Sequence, residues 1–150
     1  MSGAKLYLED LSVGQRFASD GHAIDEAQIL AYAAQYDPQP FHLDHAAAQD
    51  TLFGGLAASG WHTASISMRL VVESLPLAGG IVGGSGEIAW PRPTRPGDVL
   101  TVESEVLEIV PSRSRPERGM VLMRITTRNQ TGEAVQVVTM KLVVPRRPPG

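Results

Sequence analysis

Hydrophobic positions follow a helical period in the first half of the chain. Apolar residues recur every three or four positions over residues 26–36, and Asp25 immediately before them is a typical N-cap. A second run, over residues 60–74, has a broad apolar face and Ser59 as its N-cap. The pattern predicts two amphipathic helices, the second being the longer, and a short helix over residues 44–49 between them.

The period changes to two in the second half, as expected for strands with one buried face. Residues 129–132 are a typical hairpin turn, and residues 111–119 form a longer hairpin loop rich in Arg and Ser. One early strand is expected within residues 15–24, and four consecutive antiparallel strands are expected at about 81–90, 98–110, 119–130 and 133–144. This order predicts an α+β domain whose antiparallel sheet wraps around the long central helix, so that each covers the other's apolar face.

Length and composition fit one domain over residues 1–150, with a proline-rich tail from about residue 145 that is expected to be flexible. The chain is 43% hydrophobic, has a net charge of −3 and contains no cysteine. It lacks the basic excess of a nucleic-acid-binding protein and cannot form disulfides. Residues 1–10 lack the apolar core of a signal peptide, and no apolar run is long enough to cross a bilayer, so a cytoplasmic protein without a membrane partner is expected.

The candidate chemistry lies in the segment that follows the first helix. Pro38 and Pro40 cannot continue that helix, which predicts a turn leading into an extended piece. Across such a turn the carboxylate of Asp37 and the imidazole of His42 can converge on one water molecule. A partly desolvated Asp beside a His can move protons near neutral pH, so the two residues are a candidate acid–base pair.

This segment is similar to a known pattern, Asp-x-Asn-Pro-x-His-x-Asp. Four residues stand in matching places, namely Asp37, Pro40, His42 and Asp44. The pattern resembles the hydratase motif of the MaoC-like dehydratases, the (R)-specific enoyl-CoA hydratases, which have a hotdog fold. The resemblance continues through residues 58–64 at the start of the long helix, through residues 92–93, and through residues 96–100 at the start of a strand.

The resemblance implies reversible addition of water to a trans-2-enoyl thioester, giving an (R)-3-hydroxyacyl thioester. CoA would be the handle of the substrate, and no metal or redox cofactor would be needed. Asp37 would take a proton as water attacks C3, while His42 would hold the water and help deliver a proton to C2. The N–H of Gly60, at a helix N-terminus, would hold the negative charge that develops on the thioester oxygen. The resemblance also implies a homodimer or a higher homo-oligomer.

Residues around the three catalytic candidates are expected to contact the substrate: Gln39, Pro40, Phe41, Ser59, Trp61, His62 and Arg92. Arg95 is a second candidate for binding phosphate, whereas the Arg residues of the 111–119 loop are more simply a solvated hairpin. Asp44 is expected to cap the short helix. It could also form a metal site with His42 and His45, but these residues do not make a clear ligand set.

Three positions depart from the family pattern. Gln39 replaces the usual Asn, Ser59 stands where many members have His, and Met68 stands where characterised hydratases often have Ser. These changes favour a small or branched acyl group. Two alternatives remain open, a hotdog acyl-CoA thioesterase and a non-catalytic acyl-CoA-binding subunit of a hetero-oligomer. Hotdog thioesterases usually place a carboxylate on or beside the central helix, where this chain offers only Glu73.

Overall fold

The computed structural model describes residues 4–150. The expectation that residues 1–10 contain no signal peptide lies outside the described part for residues 1–3. A short 3-10 helix, Leu8–Asp10, comes first. Four α-helices follow: α1 Glu26–Tyr36, α2 Pro40–Leu43, α3 His45–Gln49 and α4 Gly60–Ser74. The six strands are β1 Arg16–Ala18, β2 His22–Ala23, β3 Gly83–Ala89, β4 Val99–Pro111, β5 Arg118–Arg128 and β6 Ala134–Pro145.

All strand pairs in the sheet are antiparallel, in the order β1-β4-β5-β6-β3, and β2 also pairs with β4. Side chains of the long strands alternate between core and surface, as in β4, where Leu100, Val102 and Val106 are buried. They form one apolar cluster with Ile66, Leu70 and Val71 of α4. The predicted α+β class, with an antiparallel sheet packed on a long central helix, is confirmed.

The helix starts predicted from capping residues are also confirmed. The Asp25 carboxylate accepts a hydrogen bond from the N–H of Gln28 at 2.8 Å. The Asp44 carboxylate accepts from the N–H groups of Ala46 and Ala47 at 2.7 and 3.2 Å. Such caps satisfy backbone donors that have no partner inside the helix. Asp44 is therefore a cap, as its position predicts.

Two local predictions are wrong. The early strand expected within residues 15–24 is interrupted, so β1 and β2 are separate short strands on β4. The extended piece expected after the turn is limited to Gln39, because Pro40 occupies the first position of the helix α2. Proline is tolerated there because a backbone N–H at the first helical position has no acceptor within the helix, so no hydrogen bond is lost. The fixed φ of proline also suits the first turn.

The first residues of the tail contact the rest of the protein, and the flexibility expected from about residue 145 stays a prediction. Pro145 is the last residue of β6. The N–H of Arg146 donates to the carbonyl of Glu117 at 2.7 Å, and the Arg147 guanidinium lies 2.6 Å from the Asp10 carboxylate. The tail therefore makes contacts as far as Arg147.

Within residues 4–150, no helix is both long enough and apolar enough to span a bilayer. The cytoplasmic location expected from the sequence stays a prediction.

Candidate active site

Asp37 and His42 lie together where two helices meet. Asp37 is the C-cap of α1, and His42 lies in α2, which begins three residues later. The Nε2 atom of His42 is 3.4 Å from Oδ2 of Asp37, and the side chains are 5% and 16% exposed. The sequence predicted this pair, and the short helix α2, rather than an extended piece, brings it together.

The His42 ring is oriented by a backbone carbonyl. Its Nδ1 lies 2.7 Å from the carbonyl oxygen of Ala57, and a carbonyl oxygen only accepts hydrogen bonds. Nδ1 must therefore carry a proton, and a neutral His42 presents an unprotonated Nε2 to Asp37. The rings of Phe41 and Phe53 pack beside the imidazole, at centroid distances of 4.6 and 5.7 Å. The imidazole is thus fixed in both tautomer and direction.

Two side chains donate hydrogen bonds to the Asp37 carboxylate. The Ser59 hydroxyl donates to Oδ2 at 2.7 Å, and the Gln39 amide donates to Oδ1 at 2.5 Å. Burial raises the pKa of Asp37, but these two hydrogen bonds, with a smaller effect from the positive charge of His42 when its imidazole is protonated, outweigh burial, so the pKa is lowered from its usual value. Asp37 is therefore an ionised carboxylate at neutral pH, able to accept a proton from a water molecule.

Gly60 is the first residue of α4, directly after the N-cap Ser59. The N–H at this position has no acceptor within its own helix. A Cβ added to Gly60 would lie 2.7 Å from Cε2 of Trp90, too close for any side chain to fit without movement. The Trp90 indole in turn donates to the amide oxygen of Gln136 at 3.0 Å. Glycine therefore leaves room for the Trp90 ring to lie directly against the start of α4.

Asp37, His42 and Gly60 line one open cavity of about 470 Å³. Its other walls are mostly apolar, with Leu52, Phe53, Ala58, Trp61, Trp90, Pro91 and Pro93 among them. Arg92 also lines the cavity, and its guanidinium is 3.2 Å from the carboxylate of Glu133 on the exposed surface. The site combines two proton-transfer groups, a free helix N-terminus and apolar walls, with one cation among the lining residues.

The other predicted contact residues differ in their placement. Trp61 lines the cavity, whereas Pro40 and Phe41 do not, although Phe41 packs against His42. Ser59 is fully buried, and its hydroxyl is committed to Asp37 and to the N–H of Trp61. Gln39 is exposed and contacts Asp37. The structure therefore places Ser59 and Gln39 against the Asp37 carboxylate and not among the residues that line the cavity.

His62 faces away from the cavity. Its ring stacks on Tyr32 of α1 at a centroid distance of 4.4 Å, and its buried Nδ1 has no hydrogen-bond partner within residues 4–150. Burial, together with the neighbouring His22, lowers the pKa of His62 and keeps it neutral. The predicted role in substrate binding does not fit this position.

Sequence reasoning missed the Ala57 carbonyl and Trp90. No sequence signal marks a particular carbonyl, because its direction depends on the fold of the loop. Trp90 does have a signal, since it is a large aromatic residue at the end of a strand, directly before Pro91. Within residues 4–150, no group of three or more metal-ligating side chains is close enough to hold an ion.

Comparison with known proteins identifies the class to which this fold and site belong. Residues 11–129 match the family described as "MaoC like domain". The chain therefore belongs to the MaoC-like domain family, as the sequence motif predicts.

The chain is also similar to particular proteins. It superposes on a MaoC-like dehydratase from Rhodospirillum rubrum with a TM-score of 0.94 and 60% identity, over 96% of this chain and 99% of that one. It is 30% identical to an (R)-specific enoyl-CoA hydratase of Rhodospirillum rubrum, over 94% of this chain and 93% of the relative. It is 33% identical to a 3-hydroxybutyryl-CoA dehydratase of Methylorubrum extorquens, over 73% of this chain and 69% of the relative. The predicted hotdog fold is confirmed by this similarity.

Proposed function

We propose that this chain catalyses the reversible addition of water to a trans-2-enoyl thioester, giving an (R)-3-hydroxyacyl thioester with CoA as the carrier. The observation that carries the proposal is the approach of the ionised Asp37 to Nε2 of His42 at 3.4 Å, inside the cavity that also contains Gly60. Relatives named as hydratases and dehydratases of CoA esters support it.

The pair of acceptors suits the activation of water. The carboxylate of Asp37 and the unprotonated Nε2 of a neutral His42 can both accept hydrogen bonds from one water molecule. A water held in this way directs its lone pairs away from the protein and toward C3 of the substrate. As the C3–O bond forms, Asp37 accepts a proton from the water, and the π electrons move to the thioester oxygen.

The product then needs a proton at C2. The enolate returns its electrons to C2, which takes up a proton passed back through Asp37 and His42, so the pair ends in its starting state. Because the proton passes between the two groups, they work as one acid–base unit. These steps transfer protons and no electrons to or from a cofactor, so we propose that CoA enters only as part of the substrate.

Gly60 is proposed to stabilise the enolate. Its N–H is free at the start of a 15-residue helix, where the helix dipole also favours negative charge. Removing one such donor typically costs about 3 kcal/mol of transition-state stabilisation. Ser59 links the start of α4, where the enolate would bind, to the Asp37 carboxylate. Its hydroxyl accepts from the N–H of Trp61 as the helix cap and also donates to Asp37.

Substrate binding is proposed to use the walls of the same cavity. The aromatic and proline side chains suit the acyl group and the adjoining thioester arm of CoA. Arg92 is exposed and lines the cavity, so it can bind a CoA phosphate once it leaves Glu133. A small or branched acyl group remains our expectation.

We also propose that two copies form a homodimer. Within residues 4–150, β3 is the last strand of the sheet, and its outer edge pairs with no other strand. Beside it lies a stripe of exposed apolar side chains, here called the apolar stripe: Trp61, Met68 and Val72 of α4, with Ile88 and Trp90. A second copy could pair along β3 and cover the stripe, which removes both an unpaired edge and an apolar surface from water.

The assay that tests the activity uses crotonyl-CoA and two simultaneous signals. A hydratase removes the enoyl absorbance without releasing free thiol, and chiral analysis yields the (R)-3-hydroxy product. A thioesterase releases thiol while the double bond remains, and this result would overturn the proposal. The structure favours the first outcome, because Glu73 of α4 is exposed, pairs with Arg69 and does not line the cavity.

The assay also addresses the non-catalytic alternative. If the purified chain binds CoA esters but hydrates none of a panel of enoyl-CoAs at any pH from 6 to 9, the proposed activity is wrong for the isolated chain. Enoyl loss by the purified chain alone would exclude the non-catalytic interpretation.

A further inference from the structure

The guanidinium of Arg95 is committed to the backbone of a distant loop. It donates to the carbonyl oxygens of Gly55 and Leu56 at 2.9 and 3.2 Å, and it also donates to that of Phe53. Arg95 is only partly exposed, and no carboxylate of residues 4–150 forms a salt bridge with it. The guanidinium is therefore occupied by neutral acceptors, which does not fit the phosphate-binding role considered from the sequence.

The backbone of Arg95 is itself well anchored. Its N–H donates to Oδ2 of the buried Asp98 at 2.8 Å, and Oδ1 of Asp98 accepts from the Gln130 amide at 3.0 Å. The neighbouring N–H of Gly97 donates to the carbonyl of Ile24 at 2.8 Å. Arg95 thus extends from a fixed turn, and its guanidinium can impose a position on the loop that it contacts.

That loop ends at the carbonyl that orients His42. Residues 53–56 lead directly to Ala57, whose carbonyl oxygen accepts from Nδ1 of His42 at 2.7 Å. The N–H of Ala57 donates to the carbonyl of Phe41, and the N–H of Ala58 donates to the carbonyl of Thr94. The loop has no regular secondary structure, and Gly54 has a φ of +62°. Within the loop, three carbonyls therefore accept hydrogen bonds from the single guanidinium of Arg95.

An arginine suits this task better than any other side chain. Its planar guanidinium carries five donors in a fixed arrangement and stays charged at every working pH, whereas a lysine ammonium is a compact point charge on a flexible stem. Three converging carbonyls also carry partial negative charge that needs a cation. Moving this loop would move the Ala57 carbonyl and with it the His42 ring. A misplacement of a catalytic group by about 1 Å, even when caused by a change far from the reacting atoms, can reduce the rate about a hundredfold.

We propose that Arg95 is a positioning residue, which holds residues 53–57 so that Ala57 keeps His42 in the Nδ1-protonated tautomer facing Asp37. The catalytic part of this inference rests on the proposed hydratase activity. The structural part, the link from Arg95 to the tautomer of His42, does not depend on any activity.

The test compares Arg95→Gln and Arg95→Lys with the wild type, and uses Arg124→Gln as a matched control. Arg124 is an exposed arginine of β5 that pairs with Glu105 and lies outside the cavity. The first measurement is the ¹⁵N NMR spectrum of the histidine side chains, with the His42 signals assigned through His42→Gln. We expect Nδ1-protonated His42 in the wild type and in Arg124→Gln, and a shift toward the Nε2-protonated form in Arg95→Gln. Arg95→Lys is expected to fall between them.

The second measurement separates kcat from KM with crotonyl-CoA. In Arg95→Gln we expect kcat to fall about tenfold or more while KM changes less than about threefold. The reason is that the substitution disturbs His42, which acts on the reacting water and not on substrate binding. If Arg95→Gln does not fold, the same two comparisons are made with Arg95→Lys, which keeps the charge.

Two results would overturn the inference. One is an unchanged His42 tautomer in a folded Arg95 variant, and the other is an unchanged kcat in a variant whose only defect is a lower Tm. An inactive wild type would instead contradict the proposed function, and the NMR comparison would still decide whether Arg95 controls His42.

Discussion

At the scale of single residues, the site is organised around the two oxygens of Asp37. Ser59 donates to one oxygen, Gln39 donates to the other, and Nε2 of His42 approaches the first. Gln39 and Ser59 are positions at which the sequence departs from the family pattern, and both side chains contact the same carboxylate. Both side chains donate hydrogen bonds to Asp37, and both hydrogen bonds lower its pKa and so favour the ionised carboxylate.

Removing the Ser59 hydroxyl is predicted to change the pH dependence of the reaction. The hydrogen bond from Ser59 is one of the causes that lower the pKa of Asp37, so Ser59→Ala should raise that pKa. Asp37 must be ionised to accept a proton from water, and activity is lost as the pH falls through its pKa. The acidic limb of a plot of kcat/KM against pH should therefore move to higher pH in this variant.

The same substitution has a predictable effect on stability. A carboxyl group whose pKa is lowered by folding stabilises the protein above its unfolded pKa, and that contribution disappears as the pH falls through the folded pKa. Ser59→Ala also removes a helix cap, which typically costs about 1 kcal/mol. The control for the pH profile is Ser65→Ala, which removes an exposed serine of the same helix whose hydroxyl donates to the Trp61 carbonyl. An acidic limb that moves equally in both variants would contradict the account.

At the scale of elements, the start of α4 depends on a close contact with the residue that follows β3. Gly60 and Trp90 approach so closely that an added Cβ would lie 2.7 Å from the indole. Gly60→Ala keeps the N–H but must displace Trp90, which forms part of the cavity wall and bonds to Gln136. We expect kcat/KM to fall about tenfold or more, because the oxygen of the substrate can no longer lie close to the N–H.

A double-mutant cycle isolates this contact. In a Trp90→Ala background the added methyl group has room, so Gly60→Ala should cost less than about threefold in kcat/KM relative to Trp90→Ala alone. An equal cost in both backgrounds would show that the clash with Trp90 is not the cause.

Most elements could be predicted from the sequence because their signals are local. The periods of α1, α4 and the long strands, and the caps Asp25 and Ser59, are visible in consecutive residues. The helix α2 is not predicted, because two prolines so close together indicate a break in helical structure, although Pro40 stands at the first helical position, where proline is tolerated. The gap between β1 and β2 could not be predicted, because it depends on the register in which each of these short strands pairs with β4.

At the scale of the whole molecule, the sequence identified the pair Asp37 and His42 but not the groups that orient it. The two residues lie close together along the chain and match a known motif. The groups that fix them, the Ala57 carbonyl and the Arg95 guanidinium, come from segments that meet only in the folded protein. Contacts of this kind leave no periodic pattern, so they could not be derived from one sequence.

The proposed dimer is also a property of the whole molecule. Light scattering of the purified chain should give twice the 16.1 kDa of one chain at micromolar concentration. Val72→Lys places a charge in the apolar stripe and should shift the mass toward the monomer, because the ammonium would have to be buried in the interface. Val13→Lys is the matched control, since Val13 is 65% exposed and lies outside the stripe. A wild type that remains monomeric at all concentrations would contradict the proposal.

Asp37 and His42 are proposed to act together on one water molecule. The most direct measurement is the turnover number for crotonyl-CoA hydration in Asp37→Asn and in His42→Gln, each checked for unchanged folding by circular dichroism. The account predicts that each substitution lowers kcat at least about a hundredfold, within the range of acid–base catalysis. The double variant should be little worse than either single variant, because the two groups work as a unit. Near-normal turnover in both folded single variants would contradict the mechanism.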